Sequence, residues 1–228
     1  MITRLRVMVL LLVLVVCFGT VSAARAADFE WTDNFWGRST DAGNRMGYEY
    51  LQDVIDSQGS AVNAQTGYLT DPDPYYWSNS GYSSQFTLNL ELAGYANNNI
   101  MGYYQGSGAG NLVYTPVFLG QDGPGAAASA VINGNFGLYL KTADNNIFYT
   151  DRFLNNNGSN APQGLVYALE QGTKWMVGWE DMKFATGDND FQDMVVTVTA
   201  APEPVSSALF IIGGIGLYLV RRKKINAF

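Results

Sequence analysis

The stretch WMVGWEDMKFATGDNDFQDMVVTV, Trp175 to Val198, holds two short apolar runs around a polar, acidic centre. One run ends at Trp179 and the other opens at Met194, and both are rich in aromatic, β-branched or other apolar residues. Runs of this length and composition form strands more readily than helices. Gly187-Asp188-Asn189-Asp190 supplies turn chemistry between them. The stretch therefore reads as two strands closed at one end by an acidic loop.

Working outward, the strand signal recurs. Gln85-Phe86-Thr87-Leu88-Asn89-Leu90-Glu91-Leu92 alternates polar and apolar residues, the pattern of a half-buried strand. Similar runs occupy Leu112 to Leu119, Phe136 to Lys141, Gly164 to Leu169, Lys174 to Trp179 and Met194 to Thr199. Turn formers separate them at Ala96 to Asn99, Gln121 to Gly125, Asp144 to Asn146 and Asn155 to Asn160. This spacing predicts a mainly β domain, an antiparallel β-sandwich of jelly-roll-like type. Met46, Tyr50, Leu51, Val54 and Ile55 fall near helical spacing and predict one helix. Ala126 to Ala130 reads as a small-residue loop or packing filler.

Glu180, Asp181, Asp188, Asp190 and Asp193 converge on the loop end of the hairpin, with Lys183 the one local positive charge. Uncompensated, that crowding is repulsive. A hard divalent cation with oxygen ligands removes the penalty, and Ca²⁺ suits a flexible carboxylate shell. The spacing is not that of an EF-hand, because Gln192, Asp193 and Thr199 stand at its fifth, glycine and bidentate positions. Asp188 and Asp190 share parity, whereas Asp193 needs a turn or bulge to join them. The alternative is a solvated acidic turn whose Asp side chains cap local amides.

The chain ends carry different information. Arg4 and Arg6, the apolar run Val7 to Gly19 and Ala24-Arg25-Ala26 describe a signal peptide over residues 1–26, with a signal peptidase as processing partner. Cys17, the sole cysteine, leaves with that segment; a lipoprotein signal is the rival reading, but Val16 stands where a small residue is expected. No disulfide is then possible in the domain at 27–200. At the other end, Pro202-Glu203-Pro204 precedes an uncharged run, Val205 to Val220. As a helix it would rise about 24 Å, short of a hydrocarbon core of about 30 Å. Arg221, Arg222, Lys223 and Lys224 follow, and such a cluster holds its end on the cytoplasmic side. Residues 205–220 thus read as a single transmembrane helix, with a buried C-terminal helix as the alternative.

The order Pro-Glu-Pro, apolar helix and basic cluster over residues 201–228 resembles the PEP-CTERM sorting signal. The resemblance implies a Gram-negative-type bacterium and recognition of Pro202-Glu203-Pro204 by an exosortase. It also implies an inner-membrane intermediate, then the cell surface or extracellular polysaccharide matrix. The two prolines keep the linker extended, which presents Glu203 to a protease. Trp179-Glu180-Asp181 followed by Gly187-Asp188-Asn189-Asp190-Phe191-Gln192-Asp193-Met194-Val195-Val196 resembles the ending of an uncharacterised domain family of bacterial extracellular proteins, often found before PEP-CTERM tails. Phe86 to Tyr104 and Tyr149-Thr150-Asp151 fit its earlier strands. That resemblance implies a β-rich secreted module with a Ca²⁺ site and no assigned enzymatic activity. Where the family usually has Tyr-Asn, this chain has Phe191-Gln192, which keeps the packing residue and puts a hydrogen bond behind the ligands in question.

Composition narrows the function. Residues 27–200 hold six Lys or Arg against nineteen Asp or Glu, which disfavours nucleic acid and anionic lipid as partners. The chain has no histidine, so Ser-His, Cys-His and His-ligated zinc chemistry are excluded. A carboxylate pair of glycoside-hydrolase type remains formally available among Glu49, Glu91, Glu170 and Glu180, but nothing selects two of them. The reading is a non-enzyme. Its competitor is a polysaccharide-binding module using Tyr75, Tyr76 and Trp77 in DPDPYYWSNSGY, with Trp31 and Trp36 beside another polar loop. Exposed rings among Asn and Asp suit a neutral sugar; rings folded inward would close the end of a sandwich instead.

Overall fold

The computed structural model describes residues 35–40, 43–70, 77–94, 96–106, 108, 110–155, 161–170 and 173–200. The expected signal peptide, the sorting segment 201–228, Trp31, Tyr75 and Tyr76 lie outside these residues. Among the described residues no helix is long and apolar enough to cross a membrane.

The described chain is mainly β, with one α-helix, α1 (Gly47–Ser57), and eight strands: β1 (Trp77–Glu91), β2 (Ile100–Gln105), β3 (Val113–Phe118), β4 (Ala127–Lys141), β5 (Ile147–Tyr149), β6 (Gly164–Glu170), β7 (Lys174–Trp179) and β8 (Met194–Ala200). Every pairing between them is antiparallel. Their order is β3-β2-β4-β1-β8-β7-β6, with β5 also paired to β4. β4 joins two halves: Ala127 to Phe136 pair with β1, and Gly137 to Lys141 pair with β2. Met101, Phe118 and Phe148 of one half meet Val166, Val177, Trp179 and Val196 of the other in one core. Phe86 stacks on Tyr103 at 6.5 Å across it. The result is sandwich-like.

A third layer lies on the opposite face of β6, β7 and β8. Leu51, Val54 and Ile55 of α1, with Phe35, Trp36 and Tyr68, pack on Leu165, Tyr167, Met176 and Val195. The central strands are thus buried on both faces: in β8, Met194, Val196 and Val198 enter the first core and Val195 the second. This explains why β8 opens with three consecutive apolar residues, Met194-Val195-Val196.

Two expectations need correction. Of the two readings of Ala126 to Ala130, packing filler holds and the loop does not: Ala127 begins β4, and Ala126, Ala128 and Ala130 pack against the first core, the last two while pairing with β1. Small side chains there let the strands approach the core closely. The alternation from Phe86 to Leu92 also does not keep one face. A register irregularity between Leu88 and Leu90 sends Leu88 into the first core and Leu90 against the second, since one extra residue reverses strand parity.

Candidate metal centre

β7 and β8 close as a hairpin at Trp179↔Met194, where the Asp193 amide donates to the Trp179 carbonyl at 3.1 Å. The loop between them would be free to splay if other elements did not clamp it. Gln163, fully buried before β6, does so from one side: its carbonyl accepts from the Glu180 amide at 2.9 Å, and its side-chain carbonyl accepts from the Phe184 amide at 2.7 Å. From the other side the Gly37 amide donates to the Asn189 carbonyl at 2.9 Å. The loop threads so tightly past Gly47 that a Cβ there would sit 1.9 Å from the Asp190 carbonyl oxygen. Asn189 and Phe191 take left-handed conformations, φ 54° and 55°. For a bulky residue this is unfavourable. Phe191 is held there by burial against Phe35 and Trp36, at ring distances of 5.8 and 5.7 Å.

Those two reversals remove the parity problem of Asp193. All five predicted carboxylates come together, as two triads sharing Glu180: Glu180, Asp181 and Asp193, and Glu180, Asp188 and Asp190. Within each triad the nearest carboxylate oxygens lie within 4.8 Å of one another. Glu180, Asp181, Asp190 and Asp193 are buried and Asp188 is partly so. Two like charges at that separation repel by roughly 3.5 kcal/mol at an effective dielectric of about 20. Among the described residues no Lys or Arg pairs with Glu180, Asp188, Asp190 or Asp193, and the Arg45–Asp53 bridge at 2.9 Å is elsewhere.

Backbone donors offset part of the repulsion. The Asp181 amide donates to Asp193 Oδ2 at 2.7 Å, the Met182 amide to Glu180 Oε1 at 3.2 Å and the Asp190 amide to Glu180 Oε2 at 3.2 Å. They do not suffice to keep the cluster ionised. Burial first, then Asp188 and Asp190, push Glu180 up to about 8. Burial and the Glu180 charge drive Asp193 higher still. Asp190 rises to about 6, by burial and then Asp188, against hydrogen bonds from Gln192 and Ser39.

Two buried amide side chains complete the surroundings. Asn99, fully buried in the turn before β2, donates through Nδ2 to Asp181 Oδ2 at 3.0 Å, while its Oδ1 has no hydrogen-bond partner. Gln192, also fully buried, donates through Nε2 to Asp190 Oδ2 at 2.9 Å and to Ser39 Oγ, while its Oε1 has no partner. Each stranded oxygen costs about 1–3 kcal/mol. Three carboxylate oxygens within 4.8 Å of one another in each triad suit a hard divalent cation, so the residues fit such an ion. Asp181 also lines a cleft of about 250 Å³ with Thr142, Asp144, Asn146 and Lys183, which opens this end of the cluster to solvent.

Residues 119–201 match a domain of unknown function, DUF4114. That segment runs from the turn before β4 to just past β8 and contains all five carboxylates. No curated protein and no solved structure shows significant similarity to the chain.

The other predicted residues fare differently. Trp77 opens β1 and is buried, its ring 5.7 Å from Phe136 and 6.1 Å from Trp175, so it offers no open face to a sugar. Trp36 is buried as well. The hydrogen bond in question at Gln192 is made, to Asp190. Sequence reasoning missed Asn99 and Gln163. A run of three Asn reads as a turn, and nothing marks its last member as the buried one. Glu91 ends β1; burial, then the charges of Asp122 and Asp181, raise its carboxyl to about 7.

Proposed function

We propose that the chain is a non-enzymatic exported bacterial protein whose jelly-roll-like sandwich is stabilised by Ca²⁺ at the acidic hairpin. In this reading a signal peptidase removes residues 1–26. An exosortase then acts at Pro202-Glu203-Pro204 on an inner-membrane intermediate held by residues 205–220 and Arg221 to Lys224. The product belongs to the cell surface or the extracellular polysaccharide matrix.

The observation that carries the metal reading is the pairing of two largely buried carboxylate triads with three partnerless buried amide oxygens nearby in the fold, Asn99 Oδ1, Asn189 Oδ1 and Gln192 Oε1. A capped turn accounts for the Asp side chains that accept amides, but not for oxygens that accept nothing. Without a disulfide, an extracellular domain gains from such a staple. The polysaccharide-binding reading has less support, because the Trp77 ring is inside the core.

The test is thermal melting of the full-length chain with Ca²⁺ and with chelator. Saturating Ca²⁺ at a hundredfold over its dissociation constant should add about 2.7 kcal/mol by mass action, and Asp190→Asn should blunt the gain. Equal melting in both conditions would refute the metal reading. Export and sorting are tested separately: in an exosortase-producing host Glu203→Ala should leave the uncleaved chain in the membrane fraction.

A further inference from the structure

The five carboxylates do not form one cage. They divide into two triads that have only Glu180 in common. Ca²⁺ ligands stand about 2.3–2.6 Å from the ion, so oxygens around one ion span at most about 5 Å. Each triad satisfies that limit, with its oxygens within 4.8 Å of one another.

Glu180 is built to be shared. Its Oε1 accepts from the Met182 amide, at the start of the loop, and its Oε2 accepts from the Asp190 amide, near the end. A Cβ on Gly187 would lie 2.5 Å from Oε1, so the loop closes directly over this carboxylate. Each triad also adjoins a buried amide side chain. Asn99 bonds Asp181 of the first triad and Gln192 bonds Asp190 of the second, and each is fully buried with its amide oxygen partnerless.

Charge leads to the same count. Five carboxylates around one divalent ion leave three charges uncompensated, whereas two ions leave one. We propose that the hairpin holds two divalent cations, one between Glu180, Asp181, Asp193 and Asn99, the other between Glu180, Asp188, Asp190 and Gln192, with Glu180 bridging them. This deepens the metal reading above and rests on it.

Native mass spectrometry and calorimetric titration of the chelator-stripped full-length chain with calcium chloride test it. Two ions per chain are expected. One ion would overturn the pairing and leave the metal reading standing; none would overturn both. Asp188→Asn removes the least buried ligand and should reduce the count from two to one, with the remaining ion still raising the melting temperature. A variant that keeps two ions, or loses both, would overturn the assignment. Gln192→Met, which keeps the side chain's length and removes the amide, should weaken the second ion at least tenfold. Asn99→Leu should do the same to the first. Equal affinities in these variants and the parent would also count against the division.

Discussion

Raising the pH of the chelator-treated chain should destabilise it, against the usual trend for a protein with many ionised carboxylates. Glu180 titrates near 8 in the folded chain because burial and the Asp188 and Asp190 charges oppose ionisation. In the unfolded chain it returns to about 4.5. A carboxyl whose folded value is raised contributes stability that is complete below the unfolded value and is lost as pH climbs through the folded one. Between those limits the folded state holds one extra proton, which costs about 1.4 kcal/mol per pH unit. From pH 5 to pH 8 the Glu180 share is about 3.5 kcal/mol, or roughly 7–14 °C of melting temperature for a domain of this size. Asp193, raised further, adds in the same direction, and Asp190 adds below about 6. Saturating Ca²⁺ requires the ionised cluster and should flatten the slope, so the gap between Ca²⁺ and chelator widens with pH. Calorimetric melts at half-unit intervals, with Glu180→Gln as the comparison, measure this. A chelator-treated melting temperature that stays level or rises from pH 5 to pH 8 would refute the assignment of buried, proton-holding carboxylates.

Other expectations follow from packing. Gly47→Ala should gain up to about 1 kcal/mol from helix propensity. The new Cβ, however, would lie 1.9 Å from the Asp190 carbonyl oxygen. Overpacking against backbone costs about 3 kcal/mol, so the net effect should be a lower melting temperature and weaker Ca²⁺ binding; a rise in either would show that the loop does not press on α1. Trp77→Ala should cost about 3–5 kcal/mol, as for other buried aromatic truncations. It should leave retention on immobilised polysaccharide unchanged for the protein that remains folded, and a selective loss of retention would return this residue to a binding role.

The fold was legible where strand composition matched strand burial. β6, β7 and β8 lie within one residue of the apolar runs that predict them, because those strands are apolar on both faces. β4 was legible only from Phe136 onward: apart from Val131 and Ile132 its first half is Ala, Ser, Asn and Gly, residues that serve a strand only because β1 and the core fit closely around them. Leu90 was misplaced because a bulge depends on the partner strand, and the partner is remote in sequence. Within the site the acidic residues announced themselves by crowding. Asn99 did not, since its role depends on burial alone.

The two ends of the acidic cluster fasten two different layers. Asp181 is bonded by Asn99, from the turn leading into β2, so the first triad is tied to the sheet half that closes the first core. Asp190 is bonded by Gln192, which also donates to Ser39, while Thr40 donates to Asp188 at 3.4 Å. The second triad is therefore tied to the segment that runs into α1 and covers the other face of β6, β7 and β8. Each segment is joined to the hairpin at this end by polar contacts, which charge repulsion in the cluster strains first. An emptied first triad should therefore loosen the β2 turn, and an emptied second triad the approach to α1. Hydrogen exchange on Asp188→Asn should show faster exchange at Gly37 and Ser39, whose amides donate to Asn189 and Arg45, with the Asn99 amide unchanged. Faster exchange at Asn99 as well would mean that the hairpin responds as one body and that the two ends are not separate fastenings.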